Sequence, residues 1–138
     1  MGIIQISVFL ENTAGRISEV TKILSDNNLN IRAINIADTA NFGILRFIVD
    51  KTETAHKALA AAGFTARLTD VIAVEIDDKP GSLDALMKVF QKDLVNIEYL
   101  YASLKGIEGK AVIIFRLEDM EKGLEILKEN SIRMIEGF

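Results

Sequence analysis

The chain has 138 residues, which is the size of one domain or of two very small ones. Hydrophobic residues make up 49% of it and charged residues 26%, a composition that excludes a disordered chain. It contains no cysteine, which excludes disulfides, thiolate catalysis and Cys-ligated zinc, and its single histidine, His56, excludes a metal site built on a histidine pair. The net charge of −4, with acidic residues close to most of the basic ones, favours a solvated surface of mixed charge over the basic face that binds nucleic acid.

The first ten residues alternate apolar and polar side chains, which predicts a strand rather than a signal peptide. No apolar run is long enough to span a bilayer. The sequence therefore predicts a cytoplasmic protein without a membrane segment. His56, on a polar helix face, is expected at the surface.

The first half of the chain predicts a strand, a helix, a hairpin of two strands, a second helix and a closing strand. β-Branched residues mark the first strand, and Ile17, Val20, Ile23 and Leu24 fall on one helix face. The predicted elements are a strand at 4–10, a helix from 17 to the Asn27-Asn28 stop, strands at 31–36 and 43–49 around a turn at 38–41, a helix at 52–62 and a strand at 65–68.

The second half repeats the first at an offset of 66 residues (81 − 15 = 66). Aligned pairs at this offset are Gly15 with Gly81, Asn30-Ile31 with Asn96-Ile97, Gly43 with Gly109, Phe47 with Ile113 and Ile48 with Ile114. A slip of about one residue is expected only near the end of the second helix. The predicted elements are a helix face of Leu83, Leu86, Met87, Phe90 and Leu94, strands at 96–104 and 110–117 around a turn at 105–109, a helix at 120–128 and a strand at 132–135.

The order in each half, β-α-β-β-α-β, predicts an α+β protein with a ferredoxin-like unit repeated twice. Each unit is expected to be an antiparallel sheet with both helices on one face. The predicted units are residues 1–69 and 70–138. A unit of this size has a marginal core, so the pair is expected to fold as one body.

The first strand-to-helix turn is the candidate binding segment in each copy. Free N–H groups at a helix start and the helix dipole favour an anion such as a carboxylate, and a glycine lets a ligand approach the backbone. Asn12 and Asp78 are able to cap the helix or to accept a hydrogen bond from a ligand ammonium. A capped helix with no ligand is the alternative interpretation.

The segments Asn12-Thr13-Ala14-Gly15-Arg16-Ile17 and Asp78-Lys79-Pro80-Gly81-Ser82-Leu83 resemble the opening of the ACT domain, a motif of the form Asn/Asp-any-Pro-Gly-any-Leu. Ala14 departs from it, which predicts unequal sites. The resemblance covers nearly the whole chain twice, and it implies a non-catalytic regulatory or sensor protein that binds an amino acid at the interface between ACT units. The residues it implicates are Asn12, Ala14, Gly15, Arg16 and Ile17 in the first copy and Asp78, Pro80, Gly81, Ser82 and Leu83 in the second.

The resemblance also implies contacts from the second strand of a neighbouring unit, where Asn35, Tyr99 and Tyr101 are the candidates. Tyr99 and Tyr101 share one sheet face, as either packing residues or a ligand-facing wall. Arg16 is able to clamp a carboxylate through two hydrogen bonds.

The expected partners are a small-molecule ligand, a second copy of the chain in a homodimer, and a separately encoded enzyme that the protein regulates, with no cofactor and no catalytic residue. The apolar strand at 111–115 motivates the dimer. Two alternatives on the same topology stay open. One is an enzyme using the Asp77-Asp78 carboxylates, and the other is an RNA-binding or metal-binding module.

Overall fold

The computed structural model describes residues 2–38, 40–104 and 106–137. Thr39 and Lys105, which fall in the two predicted hairpin turns, lie outside the described residues, as do Met1 and Phe138 at the ends of the predicted domains. The chain forms two compact units, Ile4–Asp70 and Val71–Phe138 with Met1–Ile3, here called the first and the second unit. The predicted boundary at residues 69 and 70 stays a prediction.

The first unit follows the predicted element order. Its elements are β1 (Ile3–Glu11), α1 (Arg16–Asp26), β2 (Ile31–Asp38), β3 (Phe42–Val49), α2 (Thr52–Ala61) and the first part of β4 (Thr65–Asp77). Strand β3 lies between β1 and β2 and pairs antiparallel with both. The other neighbour of β1 is β4.

The second unit repeats this arrangement with the remainder of β4 as its first strand. Its further elements are α3 (Ser82–Lys92), β5 (Ile97–Ala102), β6 (Lys110–Leu117), α4 (Met120–Glu129) and β7 (Met134–Ile135). Strand β6 pairs antiparallel with β4 and β5, and β7 pairs antiparallel with β4. The predicted class, a ferredoxin-like βαββαβ unit repeated twice, is confirmed.

Each unit has its own core between its two helices and one face of its sheet, because apolar side chains alternate along the strands and recur every three or four residues along the helices. The fully buried residues at the centre of the first core are Ile6, Val8, Phe47, Val20, Ala55 and Leu59. Those of the second core are Val74, Phe115, Leu117 and Leu127, with Phe90 and Leu86 almost as deeply buried. Phe90 and Phe115 pack edge to face, with ring centres 5.6 Å apart.

The alignment of the two copies beyond the hairpin differs from the predicted one. Ile6 pairs with Phe47, and its counterpart Ile72 pairs with Phe115, so the offset on this strand is 68 (115 − 47 = 68). The predicted pairs Gly43 with Gly109 and Phe47 with Ile113 are therefore wrong by two residues. The second hairpin carries the two extra residues, and the offset of 68 continues into the second helix.

The apolar pattern also misplaced the end of α3. Leu94 was predicted on the helix face, but the helix ends at Lys92, and Leu94 has φ 55° and is 87% exposed. Its counterpart is Asn28, with φ 54°. Ile17 and Leu83, also predicted on helix faces, are exposed.

Several strand ends differ from the prediction. The closing strand of the first copy was predicted at 65–68, and it runs on without a break as β4 (Thr65–Asp77). Strand β5 is shorter than the predicted 96–104, and β7 is shorter than the predicted 132–135. Strand β6 has the predicted bounds.

Candidate functional site

Both helix starts are built on a glycine with a left-handed backbone. Gly15 precedes α1 with φ 89° and ψ −12°, and Gly81 precedes α3 with φ 89° and ψ −13°. Side chains rarely adopt this conformation because the Cβ atom crowds the backbone, whereas glycine has no Cβ. A Cβ placed on either glycine would meet nothing within 4 Å, so no neighbouring atom occupies that position.

The expectation that Asn12 and Asp78 cap the helices is wrong, because the glycines themselves occupy the cap position and no side chain caps either helix. Backbone bonds close the loops instead. The Thr13 N–H donates to Glu11 O at 2.9 Å, and the Lys79 N–H donates to Asp77 O at 3.0 Å.

The first turn of each helix keeps donors available. Helix geometry leaves the N–H groups of the first turn without an intrahelical acceptor. Among the described residues, none accepts a hydrogen bond from the N–H groups of Ile17 and Ser18 in α1, or of Leu83 and Asp84 in α3. With the helix dipole, these donors favour an anion.

A cleft of about 820 Å³ opens beside the start of α3. Its walls come from the end of β4, the loop and first turns of α3, the start of β6 and the turn after α4. Three of the predicted site residues, Pro80, Gly81 and Ser82, line it. Residues from these separate elements converge because β4 and β6 pair at Asp77 and Lys110.

Charged side chains of both signs line the cleft. The Glu75 side chain is only 9% exposed, and its closest ionic partner is Arg133, at 3.7 Å from Oε1 to Nη1. No hydrogen bond to the Glu75 carboxylate is formed by the described residues. A carboxylate with so little exposure gains from a donor that comes close enough for a charge-assisted hydrogen bond.

Asp77 and Lys110 form an exposed ion pair at the rim, with Lys110 Nζ donating to Asp77 Oδ1 at 2.5 Å. This hydrogen bond, and then the charge of Lys110, hold the pKa of the Asp77 carboxyl below its usual range. The same bond and charge raise the pKa of the Lys110 ammonium. Both groups are therefore charged at neutral pH.

The start of α1 has different surroundings. The Arg16 guanidinium lies over the Phe64 ring, 4.8 Å from its centre, and Arg16 Nη1 donates to Glu19 Oε2 at 2.6 Å. Arg16 Nε is buried and has no hydrogen-bond partner among the described residues. The side chain predicted to clamp a ligand carboxylate is thus engaged within its own unit.

The other predicted site residues lie away from the cleft. Asp78 lines a second, smaller cavity of about 410 Å³ with residues of the β5–β6 hairpin, so the neighbouring carboxylates of Asp77 and Asp78 face different spaces. Tyr101 is buried and Tyr99 half-buried, on the sheet face opposite α3 and α4. Asn35 lies on the corresponding face of the first unit.

Sequence reasoning missed Glu75, Lys110 and Arg133. They come from a strand interior, a strand start and the turn after α4, so no spacing in the sequence connects them. One signal was present, because Glu75 interrupts the otherwise apolar segment Val71–Ile76 of β4, and glutamate is unusual in such a segment.

No group of histidine, aspartate and glutamate side chains in the described residues has the arrangement of a metal site. His56 is half-buried rather than at the surface, with Nε2 3.2 Å from the Ala66 carbonyl oxygen. Within the described part of the chain, no helix combines the length and the apolar character needed to cross a membrane.

Two βαββαβ units in tandem, each opening its first helix with a left-handed glycine, define a tandem ferredoxin-like module. The chain belongs to the ACT domain pair family, whose match extends over residues 1–137. ACT domains are regulatory, non-catalytic modules, and membership gives the chain a ligand-binding regulatory role.

The structure is similar to that of a protein from Bacteroides thetaiotaomicron, with 37% sequence identity, a TM-score of 0.92 and coverage of 98% of this chain and 92% of the other. It shares its fold with the ligand-free regulatory subunit of aspartate kinase from Thermus thermophilus, at 19% identity and a TM-score of 0.68, over 93% of this chain and 91% of that one. The corresponding subunit from Thermus flavus has 18% identity, a TM-score of 0.63 and coverage of 94% and 92%. No protein of curated function matches the chain in sequence.

Proposed function

We propose that this protein is a non-catalytic sensor that binds an amino acid at the start of α3. One observation carries the proposal. The cleft is lined both by Glu75, a carboxylate whose side chain is 9% exposed, and by the start of α3, a helix N-terminus with unsatisfied N–H donors. A negative group on one wall and positive donors on another match a zwitterion.

The expected pose follows from these charges. The ligand carboxylate lies at the N-terminus of α3, where Gly81 has no side chain to block approach to the backbone. The ligand ammonium lies against Glu75 and supplies the hydrogen bond that its carboxylate lacks. The ACT resemblance places such ligands where one ACT unit faces another, and that placement stays a prediction.

The regulatory output requires a partner. The Thermus neighbours are regulatory subunits of an enzyme, and by analogy this chain regulates a separately encoded enzyme. A ligand shifts such an assembly only by the difference in its affinity for the two states. The homodimer also stays part of the proposal.

A thermal-shift screen with the standard amino acids tests the function. A ligand present at about 100 times its Kd raises the apparent free energy of unfolding by about 2.7 kcal/mol. The matched variant is Glu75→Gln, which keeps the shape of the side chain and removes its charge. The shift should fall strongly in this variant, because losing a buried charge partner typically costs about 2–5 kcal/mol of binding. No shift with any amino acid at millimolar concentration would sink the proposal.

A further inference from the structure

The two helix starts have the same backbone but differ at two structurally equivalent positions. Arg16 and Ser82 each directly follow the left-handed glycine. Phe64 and Ile132 each follow the second helix of their unit and close its end in the same way, with the N–H of Phe64 donating to Leu59 O at 3.0 Å and that of Ile132 to Leu127 O at 3.0 Å.

In the second unit these positions are open. Ser82 and Ile132 both line the cleft, and neither side chain is long enough to cross it. In the first unit the two counterparts touch, because the Arg16 guanidinium lies 4.8 Å from the centre of the Phe64 ring. The space that is a cleft beside α3 is therefore filled beside α1 by the chain's own side chain.

Two contacts hold the Arg16 side chain in this position, against the cost of an Nε atom that is buried with no hydrogen-bond partner among the described residues. Its Nη1 atom is held by Glu19 at 2.6 Å. Its planar cation stacks on an aromatic face that is itself 8% exposed.

Two charged cleft residues are also replaced in the first unit, whereas Asp77 corresponds to the acidic Glu11. The strand position of Glu75 is occupied by Phe9, and that of Lys110 is occupied by Phe42. A zwitterion would find no buried carboxylate there. The first unit thus has an arginine side chain in this space and no carboxylate at the position of Glu75.

We infer that the first unit is closed to ligand by Arg16 stacked on Phe64, so that each chain binds one ligand molecule, in the second unit. This inference rests on the proposed amino-acid binding and goes beyond it by assigning the site to one of the two units. In the first unit, the position that corresponds to the ligand site is then always occupied by the Arg16 side chain. Arg16 is a closing residue rather than a ligand clamp.

Transplanting the closing pair tests the inference. Isothermal titration uses whichever standard amino acid gives the largest thermal shift with the parent protein, and it should give one site per chain. Ser82→Arg combined with Ile132→Phe recreates the Arg16–Phe64 pair beside α3, and the affinity should fall by at least about tenfold. Ser25→Arg adds the same charge at an exposed position of α1, outside the cleft, and this matched control should bind within about twofold of the parent. Arg16→Ser should also leave the affinity within about twofold.

The outcomes separate the two proposals. Circular dichroism first confirms that each variant is folded, and Ser82→Arg alone replaces the double variant if the latter does not fold. Either of two results would overturn this inference alone. One is a titration that gives two sites per parent chain. The other is an Arg16→Ser variant that loses binding while the double variant at Ser82 and Ile132 retains it. Absence of binding by the parent to every amino acid would overturn the proposed function and this inference together.

Discussion

The starts of α1 and α3 have almost identical backbones and very different surroundings. Gly15 and Gly81 have the same φ of 89°, and equivalent hydrogen bonds close the two loops. Beside α1 the space is occupied by Arg16, whereas beside α3 it is a cleft of about 820 Å³. The glycine therefore fixes the backbone at the helix N-terminus, while the residue after it and the facing turn decide whether a ligand has room.

Replacing the two glycines gives the largest expected difference between the units. Gly15→Val and Gly81→Val should each lower the free energy of unfolding by about 1–3 kcal/mol, because valine at a positive φ is strained. Neither new side chain meets a neighbour at Cβ. Ligand affinity should fall by at least about tenfold in Gly81→Val and little in Gly15→Val. Denaturant unfolding and isothermal titration measure the two effects. Equal losses of affinity would contradict the assignment to the second unit.

The two cores differ in the sizes of the residues that meet between the second helix and the third strand. Gly123 lies against Leu117, and a Cβ on Gly123 would overlap Leu117 Cδ1. At the equivalent positions the first unit has Ala55 and Val49. Gly123→Ala should therefore destabilise the protein by about 1 kcal/mol, since overpacking outweighs the gain in helix propensity of about 1 kcal/mol.

Combining Gly123→Ala with Leu117→Val recreates the pair of the first unit and removes the overlap. In the Leu117→Val background, Gly123→Ala should become stabilising by about 1 kcal/mol. Urea unfolding of the four proteins gives this coupling energy. The same effect of Gly123→Ala in both backgrounds would show that Leu117 moves aside at no cost.

The residues after α1 and α3 give a smaller effect. Leu94 adopts a left-handed conformation that asparagine tolerates better, as Asn28 does in the first unit. Leu94→Asn should raise the free energy of unfolding by about 1 kcal/mol, because this exposed leucine loses no buried contact. Asn28→Leu should lower it by a similar amount. Thermal unfolding checks both variants, and a destabilising Leu94→Asn would show that the leucine has contacts in solution.

The smallest expected effect comes from the ion pair between Asp77 and Lys110, whose equivalent positions in the first unit are Glu11 and Phe42. Because folding lowers the pKa of Asp77, its carboxylate stabilises the folded state at pH values above the pKa of the unfolded carboxyl. This stability is lost as the pH falls through the pKa of the folded carboxyl. Because folding raises the pKa of Lys110, its ammonium stabilises the folded state at pH values below the pKa of the unfolded ammonium. This stability is lost as the pH rises through the pKa of the folded ammonium.

Lys110→Met should therefore lower the free energy of unfolding slightly between about pH 5 and pH 9 and have progressively less effect below about pH 3.9 and above about pH 10.4. Urea unfolding of parent and variant across this range measures the difference. A difference that does not change with pH would mean that the methionine acts through packing and not through charge.

The fold was largely predictable because its pattern is simple. Strands of β-branched residues, helices with one apolar face and turns rich in glycine and asparagine predicted every element. The error of two residues in the alignment of β6 has a physical cause. Side chains along a strand alternate with a period of two, so a shift of two residues returns every apolar side chain to the same face. The coincidence of Gly43 with Gly109 then favoured the wrong register.

The site was predictable only in its local part. Gly81 and Pro80 are adjacent in the chain and carry a recognisable pattern, whereas Glu75, Lys110 and Arg133 become neighbours only when three elements pack together. The closure of the first unit had no sequence signal either, because Arg16 and Phe64 are separated by almost the whole unit. The spacing of apolar residues wrongly predicted Leu94 on a helix face, because this spacing does not show where the helix ends.

The hairpin of the second unit is longer by two residues, yet its strands keep the pairing of the first unit. The connection from Ala102 to Ile113 is two residues longer than the equivalent connection from Ile36 to Leu45. The extra length adds only roughly 0.2 kcal/mol to the free energy of loop closure. Leu104 and Ile107 in this hairpin are mostly exposed. Protein engineers therefore have a natural insertion point here, where a short tag or reporter peptide can be added without changing the pairing of β5 with β6.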